Sequence, residues 1–188
     1  MILDLLRHGE TEQGGLRGSL DDALTEKGWV QMSAAVEAGG PWQVLVSSPL
    51  QRCARFADAL GERLGLSVQR EADLRELHFG DWEGRTAAQI MQTQADELGR
   101  FWSDPYAYTP PGGEPVGAFA ERVVTAMERL TRQHAGKRVL LVTHGGVMRL
   151  LLARARGLPR EQLLQVEVGH GAMVRLVLNE DGVLSEAD

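Results

Sequence analysis

Short apolar runs recur along the chain and predict the strands of a sheet. Residues 2–6 (Ile-Leu-Asp-Leu-Leu), 44–46 and 138–143 are nearly continuously apolar, which is typical of strands buried on both faces of a parallel sheet. Residues 174–178 are expected to form a fourth such strand.

Between these runs the apolar positions follow the period of a helix. One apolar face runs from residue 49 to 64 and another from 114 to 133, and Val147 lies in a third segment that ends near Gly157. Ser48 is expected to cap the first helix, with Pro49 at its first helical position. Strands that alternate with helices indicate an α/β fold, a three-layer sandwich in which a mainly parallel sheet is flanked by helices. The stretch 101–114, rich in proline and glycine, is expected to be a loop.

Composition narrows the class of protein. A chain of 188 residues fits a single domain, 1–188, and 43 % hydrophobic with 24 % charged residues is typical of soluble globular proteins. A net charge of −6 argues against nucleic-acid or membrane-surface partners, and no apolar run is long enough to span a membrane. One cysteine, Cys53, suits a reducing compartment, so a cytoplasmic location is expected. The oligomeric state stays open, with a dimer as one alternative.

Two histidines follow predicted strands directly. His8 lies in Arg7-His8-Gly9-Glu10-Thr11 after the first strand, and His144 lies in Thr143-His144-Gly145-Gly146 after the strand 138–143. The carboxyl ends of parallel strands are where open α/β sheets bind ligands. The glycine after each histidine lets backbone N–H groups approach an anion closely. The two segments therefore predict a phosphate site.

Two further segments add charge to this site. Arg52 lies in the first turn of the helix that follows strand 44–46, where a helix dipole and a guanidinium favour phosphate. Glu76 lies among apolar and aromatic residues in the segment 74–84, where partial burial would raise its pKa toward use as a general acid. Glu83, Asp81 and Glu10 are alternative acids, although Glu10 is expected to order the loop after the first strand instead.

Taken in order, these segments resemble the histidine phosphatase superfamily, whose fold is that of phosphoglycerate mutase. The motifs are R-H-G-E-T at 7–11, S-P-L-Q-R at 48–52, L-R-E with F-G-D-W-E-G at 74–84, and T-H-G-G at 143–146, with P-G-G-E at 111–114 as a further match. The resemblance implies that His8 attacks the phosphorus of a small-molecule phosphomonoester and becomes a phosphohistidine. It implies that Arg7, Arg52 and His144 hold the phosphate oxygens, and that Glu76 protonates the leaving oxygen and then activates water. No metal or other cofactor is expected.

The chain also departs from the family pattern. Gly14 stands where many members carry asparagine, and Phe56 stands where a threonine is usual. Contacts with the rest of the substrate are expected from a few further residues near the motifs: Arg17, Trp82, Tyr106 and Gly145.

Three functions compete. A phosphatase is favoured over a phosphoglycerate mutase because the chain is compact, and over a catalytically silent binding protein because the whole set of motif residues is intact. Within the superfamily, the layout around 74–85 and 110–114 resembles the α-ribazole phosphatases of cobalamin biosynthesis, and a broad small-molecule phosphatase is the alternative. His78 and His170 could join His8 and His144 as metal ligands, but their spacing matches no metal motif.

Overall fold

The computed structural model describes residues 1–179 and 184–187, so residues 180–183 and 188 of the expected domain lie outside the described residues. Within those ranges it contains six strands, five α-helices and three short 3₁₀ helices. The strands are β1 (Ile2–Arg7), β2 (Val44–Ser47), β3 (Val68–Arg70), β4 (Arg138–Thr143), β5 (Met173–Leu178) and β6 (Leu184–Glu186). The α-helices are α1 (Glu26–Glu37), α2 (Gln51–Leu64), α3 (Ala87–Ser103), α4 (Val116–Gln133) and α5 (Gly145–Ala155), and the 3₁₀ helices are Ala72–Leu74, Gly80–Trp82 and Arg160–Gln165.

The strands form one sheet in the order β3-β2-β4-β1-β5-β6. The first four of these run parallel to one another, which confirms the mainly parallel sheet. The prediction of a parallel strand at 174–178 is wrong, because β5 is antiparallel to β1. The reason is where the chain enters the sheet: Arg7 at the end of β1 donates its backbone N–H to Ala172, just before β5. A strand that starts where its neighbour ends has to run the opposite way.

Helices cover both faces of the sheet and form two apolar cores. Along β4, Val139 and Leu141 pack on the face covered by α3, α4 and α5, whereas Leu140 and Val142 pack on the face covered by α1 and α2. All four side chains are fully buried. Burial on both faces explains why these strands are continuously apolar, and the arrangement confirms the α/β sandwich. No helix within the described residues is both long and apolar enough to span a membrane.

The helix boundaries differ from the predicted ones at several points. Helix α2 begins at Gln51 with Leu50 as its N-cap residue, so neither Ser48 nor Pro49 has the predicted role. Helices α1 and α3 were not predicted, because few of their side chains face a core: only three residues of each are buried. Helix α3 also extends to Ser103, so the predicted loop starts after that residue.

Candidate active site

The pairing of β1 with β4 brings the two predicted histidines together. Arg7 lies opposite Thr143 at the carboxyl end of this pair, so the residues that follow them, His8 and His144, emerge side by side. Their ring centroids are 5.4 Å apart and the ring planes are inclined at 63°. The sheet register therefore builds the centre of the predicted site.

His8 is held in the form that a nucleophile requires. Its ring is almost fully buried, and Nδ1 lies 2.8 Å from the carbonyl oxygen of Gly9. Because a carbonyl can only accept a hydrogen bond, Nδ1 carries the proton and Nε2 keeps its lone pair. Burial, and next the positive charge of Arg52, hold the pKa of His8 well below its usual value. The imidazole is therefore neutral at physiological pH.

His144 is completely buried beside His8. Its Nε2 lies 2.7 Å from Oγ of Ser48, and Sγ of Cys53 is 3.7 Å from the same nitrogen. Burial, followed by the charge of Arg52, holds the pKa of His144 well below its usual value. Sequence reasoning assigned Ser48 to a helix cap and missed this contact. The available signal was its position in the S-P-L-Q-R segment, four residues before Arg52.

Two arginines lie next to the histidine pair: Arg52 is fully buried and Arg7 is half-buried. Arg7 donates from Nη1 to the carbonyl of Val168, and Arg52 donates to the carbonyls of Leu20 (2.6 Å) and Gly18 (2.8 Å). The Nε–H groups of Arg7 and Arg52 are both buried and have no partner within the described residues. Buried donors are nearly always satisfied in folded proteins. These two N–H groups therefore point to an absent acceptor such as a phosphate oxygen.

A cleft of about 600 Å³ opens in front of His8. Arg7, His8 and Glu76 lie on its wall. Arg52 and His144 are 0 % exposed and lie beside His8 rather than on the wall of this cleft. The structure thus brings all five predicted residues into one region, with the two most deeply buried ones, Arg52 and His144, beside His8.

Glu76 faces the cleft from the loop after β3. Its side chain is 8 % exposed. Oε1 accepts a hydrogen bond from the backbone N–H of Leu77, and Oε2 accepts one from Gly146, each at 2.9 Å. The second bond ties the carboxyl group to the first turn of α5, two residues after His144. The predicted acid is therefore fixed next to the predicted phosphate site.

The backbone that carries Glu76 is held by Arg122 of α4. This guanidinium donates to the carbonyls of Asp73 (2.6 Å), Arg75 (2.9 Å) and Glu76 (3.0 Å). It also donates to both carboxylate oxygens of Glu114, at 2.7 and 2.9 Å. Arg122 was missed by sequence reasoning, although Glu114 belongs to the recognised P-G-G-E segment.

The alternative acids have other partners. Glu83 accepts hydrogen bonds from four backbone N–H groups between 2.9 and 3.2 Å, three of them in the loop 18–20 and one at Phe79. Glu10 lies on the cleft wall, but its carboxylate is paired with Lys27 at 2.9 Å and with the hydroxyl of Thr25 at 3.1 Å. These contacts favour Glu76 as the acid, with Glu83 and Glu10 ordering loops.

The residues predicted to contact the rest of the substrate lie in different surroundings, and only some of them lie on the cleft wall. Arg17 lies on the cleft wall, paired with Asp22 at 2.8 Å. The prediction for Trp82 is wrong, because its ring is 0 % exposed and packs in the core at 5.7 Å from Phe101. Tyr106 packs under the guanidinium of Arg160.

Two glycines of the predicted site differ in their surroundings. Gly145 is buried at the start of α5, where a Cβ atom would lie only 3.2 Å from Nε of Arg7 and 3.4 Å from Nη1 of Arg149. The missing side chain of Gly145 therefore leaves room for the two guanidinium groups. Gly145 is not among the residues described on the cleft wall, so the structure does not bring it to the predicted contact with the substrate. Gly14 does line the cleft, and a Cβ atom there would meet open space. The carbonyl of Gly14 accepts a hydrogen bond from the guanidinium group of Arg17.

Two other basic side chains complete the cleft wall. Arg149, one turn into α5, donates from Nε to the carbonyl of Val166 at 3.0 Å, and was missed by sequence reasoning. The signal for it was an arginine five residues after His144, in a helix that starts at the carboxyl edge of the sheet. The ring of His170 lies 5.7 Å from that of His8. The described residues contain no group of three or more side chains that could hold a metal ion.

Comparisons with known proteins find a matching family model and several similar curated proteins. A family model described as "Histidine phosphatase superfamily (branch 1)" matches residues 3–187. The adenosylcobalamin/alpha-ribazole phosphatase of Escherichia coli is 31% identical over 185 residues, which cover 96% of this chain and 91% of that protein. The glucosyl-3-phosphoglycerate phosphatase of Mycobacterium tuberculosis is 39% identical over 172 residues, covering 84% and 76%.

Solved structures of such proteins are also similar to this chain. A mycobacterial glucosyl-3-phosphoglycerate phosphatase in complex with VO3 superposes with a TM-score of 0.88 at 32% identity, covering 99% of this chain and 96% of that one. The same protein has also been solved with inorganic phosphate. The chain spans about half the length (47%) of the first curated relatives that it matches, which are 35% identical mycobacterial proteins.

Proposed function

The chain belongs to the histidine phosphatase superfamily, branch 1, and we propose that it hydrolyses phosphomonoesters through a phosphohistidine formed on His8. The observation that carries the proposal is the state of His8 and its neighbours. A neutral imidazole with a free Nε2 lone pair lies beside two arginines whose buried Nε–H donors lack an acceptor within the described residues. A phosphate group would supply that acceptor and present its phosphorus to Nε2.

The first half of the reaction transfers the phosphoryl group to the protein. The Nε2 lone pair of His8 forms a bond to phosphorus while the bond from phosphorus to the ester oxygen breaks. Glu76, in its protonated form, gives its proton to the leaving oxygen, so the product leaves as a neutral alcohol. Arg7 and Arg52 stabilise the charge on the equatorial oxygens, with His144 beside them.

The second half returns the protein to its starting state. Glu76, now a carboxylate, takes a proton from a water molecule as the water oxygen attacks phosphorus. The bond between phosphorus and Nε2 breaks, and the electron pair returns to the ring of His8. Inorganic phosphate leaves, and the side chains supply all the charge that the steps require, so neither step needs a metal ion.

Two substrates are candidates. The E. coli α-ribazole phosphatase matches this chain almost from end to end, which favours α-ribazole 5′-phosphate. The higher identity of the M. tuberculosis relative favours glucosyl-3-phosphoglycerate as the second candidate. Loops decide between such substrates within one superfamily.

The test is an assay of the purified chain against α-ribazole 5′-phosphate, glucosyl-3-phosphoglycerate and 3-phosphoglycerate. Release of inorganic phosphate in the presence of EDTA is expected with at least one of the first two. Conversion of 3-phosphoglycerate to its isomer without phosphate release would make the chain a mutase. Failure to release phosphate from any ester would refute the proposed function.

A further inference from the structure

A second, smaller cavity adjoins the cleft at its acid side. Its volume is about 40 Å³, and Glu76, Phe79 and Arg149 lie on the wall of both cavities. The rest of its wall is predominantly apolar. These side chains include Phe101, Pro105, Val116, Phe119, Leu163 and Leu164. We refer to this cavity as the apolar pocket.

The carboxylate of Glu76 and the Nε–H group of Arg149, both at its edge, already have hydrogen-bond partners. Both carboxylate oxygens of Glu76 accept backbone hydrogen bonds, and Nε of Arg149 donates to Val166. A hydroxyl group placed deeper in the apolar pocket would lose its hydrogen bonds to water and find few replacements. An apolar group would instead gain from leaving water. The volume corresponds to roughly three water molecules, which is enough for the edge of an aromatic ring or a branched alkyl group.

The apolar pocket lies beside Glu76, the residue that protonates the leaving group in the proposed reaction. In the proposed reaction Glu76 protonates the leaving oxygen, so the alcohol part of the substrate lies next to Glu76. Arg7 and His8 line the cleft but not the apolar pocket, whereas Glu76 and Phe79 line both. The apolar pocket therefore lies next to the place where the proposed reaction puts the alcohol part of the substrate.

We propose that the apolar pocket is the subsite for the leaving group, and that the substrates are phosphomonoesters of alcohols that carry an aromatic or branched apolar substituent. This rests on the proposed phosphatase activity and adds the class of substrate. It favours α-ribazole 5′-phosphate, whose base is aromatic, over glucosyl-3-phosphoglycerate, whose alcohol part is covered with hydroxyl groups.

The experiment compares three primary phosphate esters with the same three-carbon chain: 3-phenylpropyl phosphate, n-propyl phosphate and glycerol 1-phosphate. The expected kcat/KM for 3-phenylpropyl phosphate is about tenfold or more above that for n-propyl phosphate, since a ring that leaves water gains binding energy in the transition state. Glycerol 1-phosphate is expected to be the poorest of the three. If n-propyl and 3-phenylpropyl phosphate are hydrolysed equally well, the subsite is refuted while the phosphatase activity stands. If none is hydrolysed and the natural candidates fail too, the proposed function itself is wrong.

A pair of variants locates the preference in the apolar pocket. Leu164, half-buried on its wall, is changed to asparagine, and the matched control is Leu158→Asn, a half-buried leucine that packs against the same core but does not line the apolar pocket. Leu164→Asn is expected to lower the phenylpropyl-to-propyl ratio of kcat/KM several-fold, and Leu158→Asn is expected to leave it unchanged. A ratio that falls equally in both variants would overturn the assignment, as would a ratio that neither variant alters. Because the readout is a ratio between two substrates, a general loss of folded protein does not affect it.

Discussion

The two ends of the cleft are built on different supports. At the phosphate end, His8 and His144 follow adjacent parallel strands, and the pairing of those strands sets their distance. At the leaving-group end, Glu76 comes from the loop after β3 and Arg149 from α5, and the apolar pocket beside them is also lined by Pro105 and Leu164 from two further segments. One end is thus fixed by the pairing of strands, and the other by the mutual packing of helices and loops.

In the proposed function, the phosphate end carries the reaction chemistry and the leaving-group end selects the substrate. A buried sheet whose strands are locked by hydrogen bonds on both sides cannot shift one histidine without the other, so the phosphate end is suited to a constant task. Loops tolerate changes in sequence at little cost to stability. The leaving-group end can therefore adapt to different alcohols while the phosphate end stays the same.

The largest effect is expected at the phosphate end. His8→Asn should lower turnover by at least about 10⁴-fold, because the variant lacks the proposed nucleophile. Brief reaction of the wild type with ³²P-labelled substrate should trap an acid-labile, alkali-stable label that the variant lacks. The control is His170→Asn, which alters the imidazole 5.7 Å away and should still trap the label. A label retained by His8→Asn would show that another residue is the nucleophile.

At the leaving-group end, Glu76→Gln should lower turnover of an alkyl phosphate by about 10²–10⁴-fold, the usual range for a general acid. With p-nitrophenyl phosphate, whose leaving group needs no proton, a burst of nitrophenol should be followed by slow turnover as phosphohistidine accumulates. Stopped-flow absorbance distinguishes the two phases.

The matched control is Glu83→Gln, at a carboxylate that binds four backbone N–H groups instead of facing the substrate. It should lower stability by about 1–3 kcal/mol and affect both substrates alike without a burst. Leaving-group dependence in Glu83→Gln, and none in Glu76→Gln, would reassign the acid to Glu83.

A smaller effect is expected when the support of Glu76 is removed. Arg122→Met frees the carbonyls of Asp73, Arg75 and Glu76, so the acid should lose its fixed position and kcat on an alkyl phosphate should fall by about tenfold. The burst phase with p-nitrophenyl phosphate should change much less, because that step needs no acid. A purely structural role of Arg122 would lower both alike.

The control for this position lies on the same helix. Arg129→Met removes an arginine of α4 that pairs with Glu71 and Asp73 at the surface, at 2.8 and 3.2 Å. It should leave the ratio between the two substrates unchanged. If Arg129→Met altered that ratio as much as Arg122→Met, the effect would belong to the whole 71–76 segment and not to the contact with Glu76.

The phosphate end of the cleft could be predicted from the sequence, whereas most of the leaving-group end could not. The strands β1, β2 and β4 are read from their apolar runs because both of their faces are buried, and the strand ends then place His8, His144 and Arg52 in one region. The direction of β5 escaped prediction because a short apolar run reports that a strand is buried and does not fix the direction in which the strand runs. Helix α3 escaped because most of its side chains face solvent.

At the leaving-group end the residues far apart in sequence meet only through tertiary packing. Trp82 lies in a conspicuous motif, which suggested a substrate contact, but its large ring is needed in the core against Phe101 and Tyr108. Arg122, Arg149 and Leu164 lie outside the segments that carry the resemblance. Local sequence does not indicate that Arg122 and Leu164 come close to Glu76, and for Arg149 the only signal is its position five residues after His144.

The smallest expected effect concerns the pH dependence of stability. It tests whether folding lowers the pKa of the two histidines at the phosphate end and so keeps their rings neutral. Burial lowers the pKa of both His8 and His144, so below about pH 6.5 the unfolded chain binds protons that the folded chain does not. The free energy of unfolding should then fall as pH drops from 7.5 to 5.5, by up to about 1.4 kcal/mol per pH unit for each ring below pH 6.5. In His8→Asn, urea unfolding should show a shallower dependence on pH over this interval, because one of these rings is gone. The carboxyl group of Asp4 does not interfere, since its pKa is lowered and lies below the interval. Parallel curves for wild type and variant would mean that His8 binds a proton as readily in the folded protein as in the unfolded chain, and would contradict a lowered pKa of His8.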